Sequence, residues 1–195
     1  MKWMARLLFG AGLAALGWCA FVLADGLAYQ DSQSDLLDQS LREIKVVAEA
    51  VPVNAKVAVN RGAPPNQDIF GRLEITRLGL SVIVAEGVDR LSLRRAAGHV
   101  PGTGIPGRTG NIGISAHRDT YFRRLKDIRE GDVIVLTTVP GTFKYRVLST
   151  KVVAPSNIEV MDPDGGEILT LITCYPFYFV GAAPERFIVR AERIN

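Results

Sequence analysis

The sequence predicts an all-β domain of about eight short strands, closed or nearly closed into a barrel with short helices, behind an N-terminal transmembrane helix. Three observations lead there. Nineteen Gly and ten Pro in 195 residues are more than helix interiors tolerate, because both disfavour the helix and mark turns. Short apolar runs recur from Leu73 towards the C-terminus, with turn residues between them. Near the start, by contrast, one stretch runs uncharged from Leu7 to Ala24.

That stretch is the first element. A bilayer core takes ~20 apolar residues, and positive flanks stay cytoplasmic. Lys2 and Arg6 precede the stretch and Asp25 ends it, so residues 1–24 read as a cytoplasmic start and a single-pass anchor, with everything after Asp25 outside the cell membrane. A cleaved signal peptide is the competing reading, since Val22-Leu23-Ala24 loosely resembles a cleavage site. Signal h-regions span only ~7–15 residues, which favours a retained anchor.

Residues 25–66 form a juxtamembrane segment. Between Asp31 and Ala50, Leu37, Leu41, Ile44 and Ala48 recur at helical spacing and predict an amphipathic helix. Pro52, Gly62, Pro64 and Pro65 mark Val51 to Asn66 as a linker that lifts the domain off the membrane, with a short strand near Val57.

Residues 67–195 are the globular domain. At 48% hydrophobic and 22% charged, the chain has material for one such domain of ~100–150 residues, not two. Strands are expected at Leu73 to Thr76 and Ser81 to Ala85 around a Leu78-Gly79-Leu80 turn, then a short helix from Leu91 to Ala97. A Gly/Pro/Thr loop follows from Gly98 to Gly110, and Ile112 to Ser115 is a strand leading into Ala116-His117. Asp132 to Thr138, Pro140-Gly141 and Thr142 to Leu148 make a hairpin in which Phe143, Tyr145 and Val147 alternate with Lys144 and Arg146. Glu167 to Thr173 and Arg186 to Arg193 complete the set.

The net charge of +3 is spread through both halves without a run of five or six like charges, unlike the concentrated basic footprint of nucleic-acid-binding domains, so no nucleic-acid partner is expected. Charge alone decides nothing about an anionic envelope surface. Of two cysteines, Cys19 lies in the apolar stretch, leaving Cys174 alone in the exported part. An unpaired thiol in an oxidising compartment is no staple and is a candidate reactive group, against the competing fate of a small buried hydrophobe. Period two puts Thr170, Ile172 and Cys174 on one strand face, with the thiol at the strand end before Tyr175-Pro176-Phe177. A thiol transferase also needs an imidazole and an oxyanion donor. Only His99, in a tight loop and assigned to structure, and His117, at a strand end, offer the imidazole. A metal site needs three or more protein ligands, often in close pairs, and neither His has such a partner, so no metal and no cofactor is expected. Calcium dependence stays undecided in a sequence without a dense carboxylate cluster.

Thr170-Leu171-Ile172-Thr173-Cys174 resembles the TLxTC signature of the sortase family, and Arg186 stands twelve residues on, where sortases keep an essential arginine. Gly98-His99-Val100-Pro101-Gly102-Thr103, Pro106-Gly107, Asn111 and Ala116-His117-Arg118-Asp119 are similar to the family's segment leading into its catalytic His. Cys174-Tyr175-Pro176-Phe177, Gly181 and Pro184-Glu185-Arg186-Phe187 look most like its class D branch, with Ala116 a departure where many relatives have Gly. The resemblance covers roughly Leu73 to Ile194 and implies an eight-stranded barrel. It implies a cysteine transpeptidase in which Cys174 attacks an LPxTG-like sorting motif after Thr, His117 exchanges protons and Arg186 supports the oxyanion. Thr173 is a secondary candidate for shaping the substrate groove. The partners implied are secreted proteins bearing the motif and an amine acceptor of the envelope; class D relatives often favour Ala over Gly after the motif Thr. Papain-like enzymes place Cys before His, and L,D-transpeptidases need Ser-x-Gly-Cys, neither of which the sequence has. The non-enzyme alternative is a membrane-tethered β-barrel binding module with Cys174 merely packed.

Overall fold

A computed structural model describes residues 2–50, 69–162, 165–179 and 181–195. The helix α1 spans Lys2–Ala50 and is followed, after the segment outside the described residues, by β1 (Ile69–Ile75) and β2 (Leu80–Glu86). Between them a 3-10 turn, Thr76–Leu78, ends on Gly79 at φ 57, a left-handed position that glycine reaches without a Cβ clash. The short helix α2 (Arg90–Arg95) starts where Asp89 accepts the backbone N–H groups of Leu91 and Ser92. Then come β3 (Ala97–His99), β4 (Gly110–Ser115), a 3-10 turn Arg123–Asp127, β5 (Val133–Thr138), β6 (Gly141–Val153), β7 (Glu167–Tyr175) and β8 (Glu185–Ile194).

These eight strands close into a barrel in the order β1-β2-β3-β4-β7-β8-β6-β5. The pairs β2/β3 and β4/β7 are parallel and the others antiparallel. Closure removes free sheet edges and lets one face of every strand fill a common core. Leu73, Ile75, Val82, Val84, Ile112, Ile114, Ile134, Leu136, Leu169, Leu171 and Val189 meet there. The expected hairpin is present, with Tyr145 and Val147 buried and Lys144 and Arg146 exposed. Burial, and then the Glu167 carboxylate that accepts its hydroxyl at 2.8 Å, holds the Tyr145 phenol above its ordinary range.

Three features differ from the sequence reading. His99 lies in a strand, β3, that the Gly/Pro-rich loop conceals because it pairs on both sides with distant segments. Strand β6 runs on to Val153, since β8 pairs along it as far as Arg186. The segments expected as an anchor and a juxtamembrane helix are one helix, which packs on the barrel between Asp25 and Asp38. Gln30 accepts the N–H of Ile83 at 2.8 Å and donates to the Arg95 carbonyl at 2.7 Å, satisfying β2 just before its pairing with β3 begins. Arg72 reaches Ser34 and Asp38, and Asp25 pairs with Arg95 and Arg94. Leu37 is buried, whereas the apolar stretch before Ala24 is almost wholly exposed. The linker and the strand expected near Val57 lie outside the described residues.

Candidate active site

The parallel pairing of β4 with β7 brings together the strand ends that lead into His117 and Cys174. Ser115 lies beside Ile172, and beyond it the Ala116 peptide is held from both sides by β7. Its N–H donates to the Ile172 carbonyl at 3.2 Å, and its carbonyl accepts the Thr173 hydroxyl at 2.8 Å. His117 and Cys174 are each the next residue after this clamp. A bond from the Phe122 N–H to the His117 carbonyl closes the turn that follows, leaving the imidazole exposed.

The antiparallel register of β7 and β8 places Arg186 directly opposite Cys174. Residues opposed in this way point to the same face of the sheet, so guanidinium and thiol share one side. The guanidinium donates to the carbonyls of Glu185 at 3.0 Å and Ala183 at 3.4 Å, which orient its fork. Cys174 is half-buried, within reach of a ligand on that face.

The register also extends the site. Counting by twos from Arg186 gives Ile188 and Arg190 on β8, opposed by Val153, Lys151 and Ser149 on β6. These residues line a groove of about 290 Å³, roofed by Asn157, Glu159 and Val160. The roof is fixed by buried Asn111 on β4, which donates to the carbonyls of Val160 at 3.0 Å and Asp162 at 3.3 Å and accepts the Thr170 hydroxyl at 2.7 Å. Gly113 leaves room for Met161, whose Cε occupies the space that a Cβ at this position would need. On the His117 side, a cleft of about 480 Å³ is walled by Val22, Leu23, Gly26 and Leu27 of α1 and by Arg94 and Tyr121.

The structure thus brings Cys174, His117 and Arg186 to one end of the barrel and sends Thr173 elsewhere. Thr173 alternates with Cys174, is 2% exposed and gives its hydroxyl to Ala116, so it faces the interior and fixes the clamp instead of lining the groove. His99 is buried too. Its Nδ1 meets the Glu86 carboxylate at 2.9 Å, its Nε2 lies 3.0 Å from both Thr103 Oγ1 and the Gly104 carbonyl, and its ring stacks on Phe70 at 4.0 Å. The sequence reading assigned no role to Arg118, which donates to the carbonyls of Pro176, Phe179 and Gly181 and so ties the loop after Cys174 to the loop of His117. Its one signal was its place beside His117.

A family model described as the sortase domain matches residues 73–194. Sortase D of Bacillus subtilis (strain 168) is 31% identical over 197 residues, covering 96% of each chain. Among solved structures, a Clostridium perfringens Sortase D5 transpeptidase superposes with a TM-score of 0.66 at 24% identity, covering 88% of this chain and 99% of that one. Sortase C of Clostridium perfringens SM101 gives 0.59 at 30% identity, covering 66% of this chain and 71% of that one. With the barrel and the family match in agreement, the chain belongs to the sortases, cysteine transpeptidases that cleave sorting motifs and anchor proteins to the cell wall.

Proposed function

We propose that Cys174 is the nucleophile, His117 the proton carrier and Arg186 the oxyanion support of this transpeptidase. The supporting observation is the pairing of Cys174 opposite Arg186, with the Ala116 clamp bringing His117 alongside. The sorting peptide, an LPxTG-like segment with Ala or Gly after Thr, lies in the groove beside Ile188. The Cys174 thiolate attacks the carbonyl carbon of the motif Thr. Negative charge gathers on the carbonyl oxygen, where the planar donors of Arg186 meet it. Collapse breaks the C–N bond, the leaving amine takes a proton from His117, and a thioester to Cys174 remains. An acceptor amine then attacks the thioester, gives a proton to His117 and restores the thiolate. The scheme uses protein groups alone.

In this reading the N-terminus is cytoplasmic, Leu7 to Ala24 crosses the membrane and the barrel works outside. The test incubates full-length protein in detergent micelles with LPxTG and LPxTA peptides and a primary amine, reading products by mass spectrometry. Acylated amine is expected from wild type. Neither cleavage nor transfer is expected from Cys174→Ala, with an unchanged circular dichroism spectrum. Release of the C-terminal fragment by the Ala variant would put the nucleophile elsewhere.

A further inference from the structure

The proposed chemistry makes no use of the surface formed by α2 and the turn before it. Val88 and Leu91 are 37% and 53% exposed there, with exposed Arg90 and Arg94 beside them. Such a group of large apolar and cationic side chains fits an interface between water and something apolar.

Its height relative to the anchor is set by α1. Trp18 and Val22 line one cleft with Arg90, Leu91 and Arg94. Just beyond, Asp25 pairs with Arg94 and Arg95, and Gln30 bonds to Arg95 and Ile83. At 1.5 Å per helical residue, Trp18 lies roughly 9 Å before Ala24 along the axis. With Leu7 to Ala24 spanning the bilayer, Arg90 and Leu91, level with Trp18 to Val22, stand roughly 3–9 Å to the acyl-chain side of Ala24, a depth at which interfacial amphipathic segments lie and from which arginine side chains reach up to the phosphates.

We infer that α2 and the turn before it seat the barrel on the outer leaflet. Arg90 and Arg94 meet the phosphates of anionic phospholipids, while Val88 and Leu91 enter the boundary between headgroups and chains. The inference rests on the reading of α1 as a membrane anchor. One consequence concerns the active site: the cleft shared by His117 with Val22, Leu23 and Leu27 opens at the bilayer surface. Substrates held at the membrane therefore approach His117 along the surface instead of from bulk solution.

The test uses full-length protein in liposomes of phosphatidylcholine and phosphatidylglycerol. Photoreactive p-benzoylphenylalanine replaces, in separate variants, Leu13 in the anchor, Leu91 in α2, or the exposed Leu148 of β6, and lipid adducts are counted by mass spectrometry after irradiation. Adducts are expected at Leu13 and Leu91, with Leu91 about tenfold or more above Leu148. Adding Arg90→Glu should lower the Leu91 adduct about fivefold in these anionic vesicles. A strong Leu13 adduct with Leu91 no higher than Leu148 overturns the seating and leaves the anchor standing. No adduct at Leu13 overturns the anchor and the seating with it. An Arg90→Glu variant with an undiminished Leu91 adduct removes Arg90 from the lipid contact.

Discussion

The two histidines occupy opposite kinds of environment within one barrel. His99 is 3% exposed, and both ring nitrogens and one ring face are spent on Glu86, Thr103, Gly104 and Phe70. His117 sits at a strand end, exposed beside a cleft, with only its backbone held among the described residues. A side chain with every group paired stabilises the fold and has nothing left to exchange. One held by its backbone keeps its ring open to solvent and ligands. Stability should therefore follow the His99 shell, and turnover the strand ends at His117 and Cys174.

His117→Ala is the sharpest test of that division. General acid–base groups contribute ~10²–10⁴-fold, so kcat/KM should fall at least ~10³-fold while the melting temperature stays put. Steady-state cleavage of a quenched sorting peptide and a thermal scan measure both sides. A large drop in melting temperature would erase the contrast.

Arg186→Lys comes next. Lys keeps the charge but not the planar fork, and loss of one oxyanion donor costs ~10²–10³-fold, so a fall of at least ~100-fold in kcat/KM is expected with folding unchanged. A Lys variant within about tenfold of wild type would reduce Arg186 to a point charge.

Thr173→Val tests the border between the two regions, because Thr173 is buried like His99 yet holds the peptide before His117. Losing its bond to Ala116 should cost ~1–3 kcal/mol of stability and also lower kcat, by about tenfold, with KM little changed. Loss of stability without loss of kcat would show that the clamp does not position His117.

The smallest effect on turnover is expected from His99→Ala. Stability should drop by ~1–3 kcal/mol as its buried partners lose their bonds, while kcat at a temperature where the variant is folded stays within about twofold. A His99 variant that melts like wild type but is inactive would reverse the roles of the two histidines.

How much of this was legible beforehand follows from range. Period two and turn residues are local, so the hairpin of β5 and β6, the strands β1, β2, β4, β7 and β8, and the solvent-facing Lys144 and Arg146 could be read directly. The three-residue β3 could not, because its only support is pairing with β2 and β4. Asn111 and Gly113 gave no local sign that they hold the roof over the groove, since their partners Val160, Asp162 and Met161 arrive from far along the chain.

By itself the sequence determined the reactive inventory: one thiol outside the apolar stretch, two histidines, an arginine twelve residues past the thiol, and one apolar stretch long enough to span a bilayer. Those follow from composition and spacing, which no folding step alters. Only the tertiary structure decided that Thr173 turns inward while Cys174 turns out. In β7 both Thr170 and Thr173 are buried, at 0% and 2% exposure, so alternation in the sequence cannot tell the inner face from the covered outer one. It also decided that α1 leans on the barrel through Asp25, Gln30 and Ser34. Those are polar residues ordinary for any solvated helix until the open N–H of Ile83 and the cations Arg72 and Arg95 are folded against them.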